Sequence, residues 1–403
     1  MEITPQAQAA ALLESTFGPG AGPRFVAAPG RVNLIGEHID YHLQAVLPMA
    51  LNRRITLAWR PRTDSVIRAV STGQSPREFV WQPGLAQAPA GDWGNYIRAA
   101  AETVSLRWGA GHGIDAAVVS DLPPAAGLSS SSALLIAFTL ALLKANSIEA
   151  GFDQLMDVLP DGEQFVGTRG GGMDHAASLG SRSGCASLIT FTPPAIDHVP
   201  VPAGWSFLVA HSLVHAEKSS EVREKYNSRR RAGAEALATL GYANFTEVLR
   251  GADFGSIEAL AARLPEGLVR GAFLHVTGEA LRVLDAADAL RKADAPRFAL
   301  RLNQAHISAR DQLQISHPEV DRLVEDALAS GAPAARLTGA GFGGCAVVFA
   351  QHDQLPAIRD ALIRRYYAGR SNFDPAQHLF EAQPGPGAIE LLEGVDAPVG
   401  PQE

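Results

Sequence analysis

An α+β fold built as two lobes is what this sequence predicts, and three observations predict it. The chain of 403 residues is long enough for two hydrophobic cores. Strand-like and helical stretches alternate through its first half. After Lys218 the texture changes to a long, charged, helix-periodic run over 221–328, and strand-like patches then return.

The elements follow in order. Residues 6–17 read as a short helix closed by Gly18-Pro19-Gly20. Short apolar or alternating runs at 25–27, 55–59, 66–70 and 114–119, bounded by Pro, Gly or charge, read as strands. Between them Trp93-Gly94-Asn95-Tyr96 opens a helix reaching Leu106. Residues 132–144 form a helix apolar nearly all round, hence buried. Strands are expected at 186–191 and 207–210, and, beyond the helical run, at 346–349 and 388–392. The lobe boundary falls near residue 205, dividing the chain into 1–205 and 206–403.

Composition narrows the function classes. A hydrophobic share of 46% and a charged share of 19% are those of an ordinary globular protein. A net charge of −8 argues against a nucleic-acid partner, though an acidic protein can hold a local basic pocket for phosphates. The two cysteines, Cys185 and Cys345, are distant in sequence and sit among small residues, so they read as reduced packing residues of a cytosolic protein. The longest apolar run, 133–143, stops at Lys144, too short to cross a bilayer. Met1-Glu2-Ile3-Thr4-Pro5 has no basic-then-apolar secretory pattern, and a cytoplasmic location is expected.

Three segments carry chemistry. The first, Gly30-Arg31-Val32-Asn33-Leu34-Ile35-Gly36-Glu37-His38-Ile39-Asp40-Tyr41, sets a cation, two carboxylates and an imidazole among apolar residues. Buried, these polar groups need partners, which a hydroxyl-rich ligand supplies: Glu37 and Asp40 accept, His38 donates or accepts, and Arg31 stays cationic. The plainer reading is a solvated turn with a surface ion pair. The second segment, Asp121-Leu122-Pro123-Pro124-Ala125-Ala126-Gly127-Leu128-Ser129-Ser130-Ser131-Ser132-Ala133, lies between a strand and the buried helix. Backbone N–H groups, helix dipole and serine hydroxyls there suit ATP phosphates and a Mg²⁺ shell, against the plainer serine-rich helix cap. The third, Arg336-Leu337-Thr338-Gly339-Ala340-Gly341-Phe342-Gly343-Gly344-Cys345, has four glycines in six positions and allows close backbone approach.

In this order the three segments resemble the sugar-kinase branch of the GHMP kinase superfamily, and most nearly its galactokinase family. Trp93-Gly94-Asn95-Tyr96, Gly170-Gly171-Gly172-Met173-Asp174, Tyr226-Asn227 with Arg229 and Arg230, and Ser308-Ala309-Arg310-Asp311 extend the likeness over almost the whole chain. The resemblance implies a ribosomal-protein-S5-like N-terminal lobe, a ferredoxin-like C-terminal lobe, and a cleft holding Mg-ATP and sugar. Asp174 then matches the carboxylate that takes the anomeric proton, and Arg31 the cation beside it. Glu37, His38, Asp40, Gly172 and Tyr226 match sugar-binding positions. Gly127, Leu128, Ser129, Ser130, Ser131 and Ser132 match the ATP loop, with Ser131 and Glu163 as metal candidates. An aspartate after glycines is also a plausible helix N-cap, and that reading of Asp174 stands beside the catalytic one.

The chain departs from the family's pattern at several places. His42-Leu43-Gln44 stands where Asn-Gly-Gly is usual, Ile39 replaces threonine, and His175 replaces the glutamine after the aspartate. Gly162 occupies the position of the family's glutamate, with Glu163 one residue later. Several departures look like the N-acetylgalactosamine kinase side of the family. The expected activity is an ATP-dependent galactose 1-kinase, with small-molecule substrates, no nucleic-acid or membrane partner, and a monomeric state. N-acetylgalactosamine or another galacto-configured sugar is the nearest alternative substrate, and a non-catalytic galactose sensor is the alternative of another class.

Overall fold

The computed structural model describes residues 3–123, 127–167, 171–214 and 220–396. Pro124, Ala125 and Ala126 of the serine loop, Gly170 of the glycine run, Lys218, and Met1 and Glu2 lie outside the described residues.

Helix α1 (Pro5–Phe17) starts as its sequence demands, with Pro5 in the first turn and Thr4 Oγ1 accepting from the Ala7 N–H at 3.2 Å, and Gly18 ends it. Strands β1 (Arg24–Ile35), β2 (Leu47–Pro61), β3 (Val66–Ser71) and β4 (Gln74–Val80) follow, then α2 (Gly94–Trp108), β5 (Ile114–Ser120) and α3 (Ser130–Ala145). Helices α4 (Phe152–Phe165) and α5 (Met173–Gly180) precede a hairpin of β6 (Cys185–Phe191) and β7 (Pro194–Pro200). Strand β8 (Trp205–His211) opens the second half. Six helices come next: α6 (Ser220–Leu240), α7 (Phe245–Leu249), α8 (Phe254–Ala261), α9 (Leu268–Arg291), α10 (Ala295–Asp311) and α11 (Pro318–Ala329). The chain closes through β9 (Ala334–Thr338), β10 (Cys345–Gln351), α12 (Leu355–Leu362), α13 (Pro375–His378), β11 (Leu379–Ala382) and α14 (Ala388–Asp396).

The first sheet has the order β1-β2-β5-β3-β4, antiparallel except for β3 beside β5. The second has the order β11-β8-β10-β9, antiparallel throughout, so β10 lies between two strands, β8 and β9, that run in the same sense. That is the split βαβ arrangement of a ferredoxin-like sheet. Alternation along its central strands feeds two cores. Phe207, Val209, Val347 and Phe349 join the main core, while Leu208, Ala210, Val348 and Ala350 join a second one with Leu323 and Leu362 of α11 and α12. Both faces being covered, β8 and β10 read as unbroken apolar runs.

Three expectations change. Residues 388–392 form part of a helix, α14, because a short apolar run has no period that separates a strand from a buried helix. The chain end also returns to the first half: the Gly385 N–H bonds the Ala50 carbonyl and that of Gly387 bonds the Ser181 carbonyl, so residues 385–396 do not follow a plain division at 205/206. Finally, β1 runs on through the first motif to Ile35, and Gly30 lies inside it without making a turn. A Cβ there would stand 2.6 Å from the Leu128 carbonyl oxygen.

Candidate active site

Strand β1 shifts register against β2 between Pro29 and Arg31, a bulge that re-aims the following side chain. Arg31 is buried, and its guanidinium fork reaches two elements at once. Nε donates to Asp174 Oδ1 at 2.8 Å, Nη2 forms an ion pair with the same oxygen at 2.7 Å, and Nη1 donates to the Gly127 carbonyl at 2.7 Å. Asp174 is the second residue of α5, whose N-cap position is Gly172 at φ 99°, so its carboxylate does not cap the helix. Its other oxygen, Oδ2, accepts from Ser129 Oγ at 2.5 Å. Burial pushes the Asp174 carboxyl up, but the Arg31 charge, the Ser129 hydroxyl and His175 outweigh it and hold the group below the usual carboxylate range. The side chain stays 29% exposed, and that part lines the cavity.

Ser129 does not act as the helix cap of the plainer reading of the serine loop. It occupies the N-cap position of α3, yet its side chain makes no cap bond and goes to Asp174 instead. The first N–H groups of α3 therefore remain directed at whatever lies above the helix. Ser130 and Ser131 are half-buried at that end, and Ser132 Oγ donates to Glu163 Oε1 at 2.7 Å. Ser129, at φ 57°, and His38, at φ 60°, both hold a left-handed backbone that non-glycine residues seldom adopt, a strain that clusters at functional sites.

On the opposite wall, Glu37, His38 and Asp40 follow β1 into a 3-10 turn, Asp40–His42. Each is tied down by the third motif or by α5. Glu37 pairs with Arg336 and accepts from the Gly339 N–H at 3.2 Å. Burial raises its pKa, against the pull of Arg336. His38 Nε2 donates to the Ala340 carbonyl at 3.0 Å, which fixes the tautomer and leaves Nδ1 to accept from the Tyr41 hydroxyl at 2.8 Å. Burial pushes that imidazole down to about 3. His38 therefore lines the cavity with both nitrogens engaged, where the sequence suggested one free to donate or accept. Asp40 Oδ1 accepts from the Tyr41 N–H at 2.9 Å, and Oδ2 from the Met173 N–H at 3.4 Å. Burial, then the Asp174 charge, push its carboxyl up to about 6.

Close approach explains the glycines. A Cβ on Gly171 would stand 2.3 Å from the Tyr41 nitrogen and 2.4 Å from Asp40 Cγ. One on Gly339, at φ 87°, would stand 2.8 Å from the Gly127 carbonyl oxygen. The three motifs thus interlock across the cleft, backbone against backbone.

The cavity between them is lined by Arg31, Glu37, His38, Asp40, Glu163 and Gly172, together with Asp174, His175 and Tyr226. Tyr226, on α6, sets its ring 4.6 Å from that of His38. Gly162 faces away from the cavity: a Cβ there would meet Thr103 Oγ1 at 2.5 Å, which leaves no room for the family's glutamate and hands the cavity position to Glu163.

A buried network behind Glu37 was not visible in the sequence reading. Glu279 of α9 accepts from the Gly36 N–H at 3.0 Å and from Arg282 at 2.8 Å, and lies 3.6 Å from Arg336. His275 Nε2 donates to the Glu37 carbonyl at 3.0 Å. A charged Glu279 on the apolar face that includes Val276, Ala280 and Val283 was the available signal.

Comparison with known proteins follows the same lines. The galactokinase galactose-binding signature matches residues 12–61, the GHMP kinases N terminal domain 95–182 and the GHMP kinases C terminal domain 286–369. A galactokinase from Roseiflexus sp. (strain RS-1) is 34% identical over 348 residues, covering 85% of this chain and 87% of that protein. Among solved structures, Lactococcus lactis galactokinase complexed with galactose has a TM-score of 0.84 at 24% identity, covering 94% of this chain and 97% of that one. L. major mevalonate kinase in complex with R-mevalonate has a TM-score of 0.60 at 19% identity, over 92% of this chain and 97% of that one. Fold and cleft together define a kinase of the GHMP class. Within that class, the chain belongs to the galactokinase family.

Proposed function

We propose that this chain transfers the γ-phosphoryl group of ATP to the anomeric hydroxyl of galactose, giving α-galactose 1-phosphate and ADP. The observation that carries this reading is the Asp174 carboxylate, fixed by Arg31 and Ser129 yet open to the cavity, with Arg31 also bound to the carbonyl of Gly127 in the phosphate loop. One guanidinium thereby couples the acceptor side to the donor side. Phosphoryl transfer asks a protein mainly for in-line positioning and charge neutralisation. Asp174, held below the usual carboxylate range, is too weak a base to strip a sugar hydroxyl in the ground state. It receives the proton late, as the loose transition state closes and the attacking oxygen becomes acidic.

Asp40 and Glu37 retain lone pairs toward the cavity, and hydroxyls of galacto configuration would satisfy them. The amino end of α3 suits the ATP phosphates. The donor set also fits a divalent cation such as Mg²⁺: Glu163 is buried, lines the cavity and carries the hydroxyl of Ser132, the residue after Ser131 in the first turn of α3. Such an ion supplies neutralisation of phosphate charge. Two free cysteines support a reducing, cytoplasmic location. Among the described residues no helix is long and apolar enough to cross a membrane.

The N-acetylgalactosamine reading draws on Ile39, Gly170-Gly171-Gly172, Leu337-Thr338-Gly339-Ala340-Gly341 and the offset Glu163. Ile39 is fully buried away from the cavity, whereas Glu163, Gly171, Gly172, Gly339 and Ala340 line it. The test is kcat/KM with ATP and Mg²⁺ for galactose, N-acetylgalactosamine and glucose. Galactose should lead. Glucose should be poor, because an inverted hydroxyl leaves buried polar groups unpaired. A clear preference for N-acetylgalactosamine would change the substrate and keep the chemistry.

A further inference from the structure

Two departures from the family's pattern, distant in sequence, meet inside the cavity. Glu163 takes the place that Gly162 cannot fill, and His175 stands where glutamine is usual. The His175 ring is 1% exposed and lines the cavity, and neither nitrogen has a hydrogen-bond partner among the described residues. A buried polar group left unpaired carries an uncompensated desolvation cost, so an orphaned imidazole at a ligand cavity points to a ligand.

The nearest acid defines which ligand. His175 Nε2 lies 3.9 Å from Glu163 Oε1, too far for a hydrogen bond. Two donors each about 2.1 Å from one cation stand about 3.0 Å apart at a right angle and about 4.2 Å apart when opposite. The observed separation lies between these limits, about 0.3 Å short of the opposite arrangement. Glu163 Oε1 already accepts from Ser132 and keeps a second lone pair. His175 is the third residue of α5, beside Asp174.

We propose that His175 is a ligand of the nucleotide-associated divalent cation, forming with Glu163 a carboxylate–imidazole pair. The cation preference of this enzyme is thereby moved from Mg²⁺ toward imidazole-accepting ions such as Mn²⁺ and Co²⁺. This rests on the metal–nucleotide reading given above.

The probe is Mn²⁺ in the presence of ADP, followed by electron paramagnetic resonance on the full chain. Wild type should show nitrogen modulation from a bound imidazole, changing from ¹⁴N to ¹⁵N when the protein is labelled with ¹⁵N-histidine. His175→Gln, which restores the family's residue, should lose that modulation and bind Mn²⁺ roughly ten-fold or more weakly. Mn²⁺ bound with ADP but without histidine coupling in wild type overturns the proposal, whether or not the variant folds. So does equal Mn²⁺ affinity in a folded variant. Failure of Mn²⁺ to bind with ADP in either protein would remove the metal–nucleotide reading itself, and this inference with it.

Discussion

Arg31 and Asp174, 143 positions apart, meet at one carboxylate oxygen: Nε donates to Oδ1 at 2.8 Å, and Nη2 forms an ion pair with the same atom at 2.7 Å. The second carboxylate oxygen is held by Ser129, so the group has one defined orientation and its open face is the cavity. Orientation and charge, more than basicity, are what this arrangement supplies.

Replacing Asp174 by Asn keeps the shape and an acceptor for Arg31 but removes the proton's destination. Turnover should fall by about 10²–10⁴, while ATP and sugar binding, measured by calorimetry, stay within a few-fold. Turnover within a few-fold of wild type takes Asp174 out of the reaction.

Arg31→Lys retains the charge and loses the fork that reaches Asp174 and Gly127 together. The expected result is a fall in kcat larger than any rise in the Michaelis constant. A rise in the constant for sugar alone would make Arg31 a binding residue only.

Acid should weaken sugar capture. Asp40, pushed up to about 6 in the free protein by burial and by Asp174, must be ionised to accept from a hydroxyl. Its kcat/KM contribution for sugar is therefore lost as pH falls through about 6, and Asp40→Asn should remove that limb along with most sugar affinity. Folding responds in the opposite sense. A carboxyl raised above its unfolded value of 3.8 contributes stability present below that value and lost as pH rises through about 6. A wild-type profile flat from pH 5 to 7 contradicts this assignment.

Arg336→Met strands the buried Glu37 carboxylate beside Glu279, which keeps its own partner Arg282. Breaking such a pair costs about 3–5 kcal/mol, which denaturant melts will register, and the sugar wall should loosen with it. A change under about 0.5 kcal/mol would show that the network relaxes freely.

Gly171→Ala places a Cβ 2.3 Å from the Tyr41 nitrogen and 2.4 Å from Asp40 Cγ. Overpacking of this kind costs about 1–3 kcal/mol, and because the backbone that moves carries Asp40, the Michaelis constant for sugar should rise as well. An unaltered constant would mean that α5 gives way and Asp40 does not.

The candidate site was legible where its polar residues sit in short contiguous runs. Arg31, Glu37 and Asp40 share one strand end, and the serines share one helix start, so composition alone exposed them. Asp174 needed the family resemblance, because an aspartate after glycines looks the same as an N-cap. Glu279 and His275 stayed hidden because their partners, Gly36 and the Glu37 carbonyl, are 243 and 238 positions away and local period carries no pairing information. Residues 388–392 were misread for the opposite reason: five residues are too few to show a period. Spacing left Glu163 one residue from the family's position, and only packing against Thr103 shows that position 162 admits no side chain.

The central claim is transfer of phosphate to carbon 1 of galactose, and ³¹P resonance of a reaction containing the protein, ATP, Mg²⁺ and galactose tests it most directly. The account predicts the sugar-phosphate doublet of α-galactose 1-phosphate growing in step with ADP, and its disappearance with Asp174→Asn. Galactose bound with no sugar phosphate formed by the wild-type protein would contradict the account and make the chain a sensor built on a kinase fold.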